Sequence, residues 1–262
     1  MHVNIESLIK QFMRMGLGVN LMALSHLIRM RPGLFLRACR ASFGVAHNMN
    51  VRDTEKIPEV GLLNILGDRR PVIRLPVCEY IEGQLSTGEA MVLLALLVAE
   101  APKEVLEIGT FMGYTSRLMA ENLENARIHT LDLPIGICLG KEMMSGFQKD
   151  DNHLIGNRVV GKEFAERPCA DRIIQHYGDS ADWNFREAGH PSFFFIDGSH
   201  TYEYCKNDSE KCFGMAETGA IILWHDCNDL HPGVVKYLGE CCDNNIDIQR
   251  ISGTSFAYFK QG

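Results

Sequence analysis

The segment Val105-Leu-Glu-Ile-Gly-Thr-Phe-Met-Gly-Tyr114 constrains the fold of this chain more than any other stretch. Val105 to Ile108 form an apolar, strand-like run interrupted only by Glu107. Gly109 and Gly113 then frame a turn, and Tyr114 to Leu123 continues with helical spacing. A strand that ends in a glycine turn and opens a helix lets backbone N–H groups come close to a ligand, because glycine has no Cβ in the way. Dinucleotide-binding loops use the same physics with the spacing Gly-x-Gly-x-x-Gly. Here Phe111 takes the place of the second glycine, and an acid, Glu107, stands two residues before the first. A nicotinamide oxidoreductase is disfavoured on that ground.

A second β-like run, Arg127-Ile-His-Thr-Leu-Asp132, ends in an acid 25 residues after Glu107. A carboxylate at the tip of the second strand can accept both hydroxyl hydrogens of a ribose, so Asp132 points to a nucleoside-bearing cofactor. Further candidate strands lie at 104–108, 172–177, 192–197 and 219–225, and candidate helices at 114–123, 201–213 and 232–244. Ser86-Thr-Gly-Glu89 reads as a capping box before the apolar run Ala90–Ala99, with Pro102 ending that helix. Two β-like runs, 246–251 and 254–260, meet at Ser252-Gly253, a hairpin signal. This alternation predicts a doubly wound α/β fold, a mostly parallel sheet with helices on both faces and a C-terminal antiparallel hairpin.

The formal charge of −7 argues against a general nucleic-acid binder, but it is unevenly spread. Residues 1–52 carry seven Lys/Arg against Glu6 alone, a net +6, which leaves −13 for the rest. Apolar helical spacing at Ile5-Leu8-Ile9-Phe12 and Leu21-Leu24-Leu27-Ile28 predicts a helical N-terminal extension or cap over 1–85, ahead of a Rossmann-like domain over 86–262. A basic amphipathic preface suits peripheral contact with a membrane surface or a docking arm in a homo-oligomer, and a helical cap within a homodimer is the expectation. The nine cysteines have no framework spacing and no Cys-x-x-Cys, which predicts reduced thiols in a cytoplasmic protein. No apolar stretch reaches the ~18 residues that span a bilayer.

Glu107-x-Gly109-x-x-x-Gly113 resembles the cofactor loop of class I S-adenosylmethionine-dependent methyltransferases. Leu106-Glu-Ile-Gly-Thr-Phe-Met-Gly-Tyr-Thr-Ser116 is similar to that loop in catechol-type O-methyltransferases. Phe193-Phe-Phe-Ile-Asp-Gly-Ser-His-Thr-Tyr-Glu-Tyr204, Asp208 and Gly219-Ala-Ile-Ile-Leu-Trp-His-Asp226 resemble the bacterial natural-product and sugar O-methyltransferases. The resemblance covers about residues 86–260 and implies a seven-stranded sheet whose last strand is antiparallel. It implies S-adenosylmethionine held by Glu107, Gly109, Thr110, Gly113, Thr115, Asp132, Asp179, Ser180 and Asp197, with Gly178–Ala181 against the adenine.

The acceptor is then a small molecule that must be held behind the methyl group for in-line displacement. An alcohol acceptor must also lose a proton, to a base or with help from a divalent metal. The resemblance implies His200 as the base, with His225 as the rival, and Asp197 and Asp226 as ligands of Mg²⁺. Cys227, beside Asp226, is a poor partner for so hard an ion. A metal-independent N-methyltransferase and a non-catalytic cofactor-binding subunit remain the alternatives. Pro134–Pro168 is too long for a simple connection and is expected to form a lid or part of the acceptor pocket.

Overall fold

The computed structural model describes residue 54 and residues 56–76, 83–134 and 158–262. The preface 1–52 and most of the expected lid therefore lie outside the described residues. The described elements, in chain order, are β1 (Glu59–Val60), α1 (Leu62–Leu66), α2 (Thr87–Glu100), β2 (Glu104–Ile108), α3 (Tyr114–Asn122), β3 (Arg127–Asp132), β4 (Ile173–Tyr177), β5 (Phe193–Ile196), α4 (Tyr202–Phe213), β6 (Ile221–Trp224), α5 (Pro232–Asp243), β7 (Gln249–Ile251) and β8 (Ala257–Lys260). No described helix is long and apolar enough to cross a membrane.

The strands form one sheet in the order β1-β7-β8-β6-β5-β2-β3-β4. Every pairing is parallel except those of β8, which runs antiparallel to both β6 and β7. The α/β fold with a terminal antiparallel hairpin is thus borne out, and Gly253 at φ +79° turns the hairpin. The sheet has eight strands where seven are expected. The addition is β1, whose Glu59 and Val60 pair with Arg250 and Ile251 of β7. Two residues are too short to show a strand period, and the pairing joins part of 57–84 to the main sheet.

Period-two alternation divides the core between the two faces of the sheet. Val105, Phe193, Phe195, Ile221 and Leu223 face α2 and α3, meeting Leu93, Leu97, Leu118 and Met119. Leu106, Phe194, Ile222 and Trp224 face α4 and α5, meeting Cys205, Cys212, Val234 and Leu238. Strands buried on both sides read as continuous apolar runs, as Phe193–Ile196 does. Truncating Leu106, fully buried, to alanine would cost ~2–5 kcal/mol. The capping box at α2 forms as expected: Ser86 Oγ accepts from Glu89 N–H at 3.2 Å, and Glu89 Oε2 accepts from Ser86 N–H at 3.2 Å.

β2 lies between β3, which follows it in the chain, and β5, which returns to its other side. Strand order reverses there, and open α/β sheets bind ligands in the crevice outside the carboxyl ends of the strands at such a point.

Candidate active site

The glycine turn leaves β2 at this crevice. Gly109 sits at φ +101°, and a Cβ built on it would lie 2.0 Å from the Asp197 carbonyl oxygen, so no other residue fits. Phe111 also has a positive φ, +50°, uncommon outside glycine and costly for a bulky side chain. Its N–H donates to Asp132 Oδ2 at 2.7 Å, which holds the turn in the shape a second glycine would take. Gly113, at φ +86°, is the N-cap of α3, whose first turn presents Tyr114 and Thr115.

The acids around this turn are deeply engaged. Glu107 is fully buried; Ser116 and Thr130 (2.6 Å) donate their hydroxyls to its Oε2, and Oε1 has no hydrogen-bond partner among the described residues. Burial pushes its carboxyl up to about 8, and the two hydroxyls offset only part of that. Thr110 turns its hydroxyl into the same network, 2.7 Å from Thr130 Oγ1 and accepting from Gln175 Nε2 at 2.9 Å. Asp132 accepts from Phe111 N–H, from Leu133 N–H at 2.7 Å and from the Arg158 guanidinium. Residues 158–164 lie over the turn, with Glu163 N–H donating to Met112 O at 2.8 Å and the Phe164 ring against Gly113.

Asp179 and Ser180 follow β4, as expected, but α4 holds their groups. Tyr204 Oη donates to Asp179 Oδ2 at 2.9 Å, and Ala181 N–H to its Oδ1 at 2.9 Å. Lys211 and Asn207 donate to the Ser180 carbonyl. The Ser180 hydroxyl reaches Asp208, whose buried carboxyl is pushed up to about 6.

Across the crevice, the ends of β5 and β6 bring Asp197, His200, His225 and Asp226 together. His225 Nδ1 lies 2.9 Å from Asp197 Oδ1 and 3.2 Å from Asp226 Oδ2, while its Nε2 is 3.5 Å from Glu89 Oε1. Burial alone would lower the His225 pKa, but Asp197, Asp226 and Glu89 reverse this and hold it well above the usual imidazole range. These contacts favour the protonated form of His225 and make it a poor proton acceptor. His200 Nε2 lies 2.7 Å from Asp226 Oδ2, and His231 Nδ1 lies 3.2 Å from Asp226 Oδ1. Burial would raise the Asp226 carboxyl, yet the imidazoles of His200, His225 and His231 hold it far below the carboxylate range. Asp226 itself has φ +57°, a strained setting for a non-glycine residue. Cys227 beside it is a buried thiol pushed up to about 12 by burial.

Three participants escape the sequence reading. Glu89 reads only as a capping-box acid, yet its second oxygen faces His225 and accepts from Ser255 Oγ at 2.7 Å. His231 carries one weak signal, its place just before Pro232 at the start of α5. Arg158 has none, because a guanidinium 26 residues from its carboxylate leaves no spacing to read.

Among proteins of known family, residues 106–227 match a family model described as a methyltransferase domain. No curated protein matches the chain. Solved structures similar to it include cofactor-bound Rv0187 from MTB, 18% identical over 69% of this chain and 82% of that one, TM-score 0.49. The O-methyltransferase from Bacillus cereus in complex with SAH is 13% identical over 82% of this chain and 93% of that one, TM-score 0.48. TomG from Streptomyces achromogenes, an O-methyltransferase involved in tomaymycin synthesis, solved with SAM, is 16% identical over 68% and 82%, TM-score 0.46. The match to the methyltransferase-domain model runs from within β2 to the residue three past the end of β6.

Proposed function

We propose that the protein is an S-adenosylmethionine-dependent O-methyltransferase that methylates a hydroxyl group of a sugar or small natural product. One observation carries the reading: the glycine turn and the carboxylate–imidazole cluster share a wall, because Gly109 packs directly on the Asp197 backbone. A cofactor seated on the turn, with its ribose on Asp132, then presents its methyl group toward the cluster. Such positioning is the larger part of what a methyl transfer by in-line displacement requires.

His200 serves as the base in this reading. Its Nε2 lies 2.7 Å from the Asp226 carboxylate, whose negative charge supports the imidazole in taking up the acceptor proton. His225 is less suited to the role, because three carboxylates surround its ring and favour its protonated form. Asp197 and Asp226 are the oxygen donors available to Mg²⁺, but the atoms that face Asp226 are imidazole nitrogens, which a hard ion does not favour. No step is therefore assigned to magnesium. We further read residues 1–52 as a helical arm that pairs two chains in the cytoplasm; deletion of 1–50 with an unchanged oligomer would reject this.

The test is a screen of hydroxylated acceptors with methyl-labelled cofactor. Once an acceptor is found, His200→Ala loses about 10²–10⁴-fold in kcat, and the loss shrinks at high pH, where the acceptor ionises unaided. Full turnover in His200→Ala, indifferent to chelator, would favour an amine acceptor instead.

A further inference from the structure

We propose that His200 Nε2, His231 Nδ1 and Asp226 form a binding site for a borderline divalent transition ion of the zinc class. Two imidazoles and one carboxylate make a donor set that suits first-row transition ions and not magnesium or calcium, which seek oxygen. Spacing supports this. A tetrahedral zinc site with bonds of about 2.0–2.1 Å places its donor atoms roughly 3.3 Å apart. Here His231 Nδ1 is 3.2 Å from Asp226 Oδ1 and His200 Nε2 is 2.7 Å from Asp226 Oδ2, and one donor atom from each of the three residues lies within 4.8 Å of the others.

The surroundings point the same way. His231 Nδ1 is buried and has no hydrogen bond to a described residue, although it faces Asp226. The two rings stand 4.2 Å apart, between centroids, and converge on one carboxylate. Three carboxylates, those of Glu89, Asp197 and Asp226, converge on the His225 ring beside the proposed site, an acidic setting that suits a cation.

The consequence for turnover rests on the methyl-transfer reading given above. A neutral imidazole that gives Nε2 to an ion keeps its proton on Nδ1, so the ion-loaded His200 cannot receive a proton. The ion acts as an inhibitor, released by chelator, and not as the activator of the acceptor.

Binding is tested without any substrate. The full chain, treated with chelator and dialysed, is titrated with zinc chloride by calorimetry and with cobalt chloride by visible absorption. The expected result is one ion per chain, cobalt d–d bands without a thiolate-to-cobalt band, and no competition from a thousandfold excess of magnesium. His231→Gln lowers zinc affinity by more than about a hundredfold, as loss of a direct ligand should exceed the 10–100-fold typical of outer partners. If His231→Gln loses its cooperative melt, His200→Gln is read in the same way. No binding, binding with the thiolate band, displacement by magnesium, or unchanged affinity in the folded variant overturns the proposal. S-adenosylmethionine binding, measured separately on the chelated protein, reports on the methyl-transfer reading alone, so the two can fail independently.

Discussion

Glu107 offers a test in which sign and size both follow from the structure. It lies in the middle of the sheet, fully buried, with one oxygen holding two hydroxyls and the other without a hydrogen bond to any described residue. Its carboxyl is raised from 4.5 to about 8, so the folded chain binds this proton more tightly than the unfolded chain does. Stability from this residue is complete below about pH 4.5 and is lost as pH rises toward about 8. At ~1.36 kcal/mol per unit, the shift corresponds to at most about 5 kcal/mol. Glu107→Gln keeps an acceptor oxygen for Ser116 and Thr130 but cannot ionise. It introduces an amide with no acceptor, a fixed cost of ~1–3 kcal/mol that does not vary with pH. Urea unfolding of both proteins in steps from pH 5 to 9 isolates the residue, because every other titration cancels in the difference. Wild type should lose several kcal/mol relative to the variant over that range. A difference that stays constant with pH would refute the reasoning.

Two further outcomes follow. Asp132→Ala should weaken S-adenosylmethionine by ~1–3 kcal/mol through loss of the ribose acceptor, whereas Arg158→Ala should bind it several-fold more tightly by freeing that carboxylate; calorimetry separates the two, and weaker binding in Arg158→Ala would make the guanidinium a cofactor contact. His225→Gln leaves Glu89, Asp197 and Asp226 without their shared cation, at ~3–5 kcal/mol. Because the folded pKa of His225 is raised, its contribution is complete below about pH 6.5 and is lost as pH rises through the folded value, so denaturation should show the variant's deficit shrinking in alkali.

The strands from Glu104 onward were readable because each is a short run of apolar or β-forming residues bounded by turn residues, and the glycine turn because Gly109 and Gly113 stand where positive φ is needed. The strand-end acids Asp132, Asp197 and Asp226 were readable from position alone. What they touch was not. The cluster at Asp226 draws Glu89 from a helix more than a hundred residues earlier and His231 from the start of α5, and no periodicity encodes such a meeting. Thr110, Asp179 and Ser180 fall at the expected places, yet their groups bond to β3, β4 and α4, because hydroxyl and carboxylate orientation depends on neighbours in space. Phe111 marks the limit of reading glycine patterns: a bulky residue takes the left-handed conformation once Asp132 accepts its N–H.

The central claim is that the turn between β2 and α3 holds a sulfonium nucleoside, and calorimetric titration of the full chain tests it most directly. S-adenosylmethionine, or its demethylated product, should bind one per chain with micromolar affinity, and NAD should give no heat. Binding of NAD, with no heat from S-adenosylmethionine, would contradict the account.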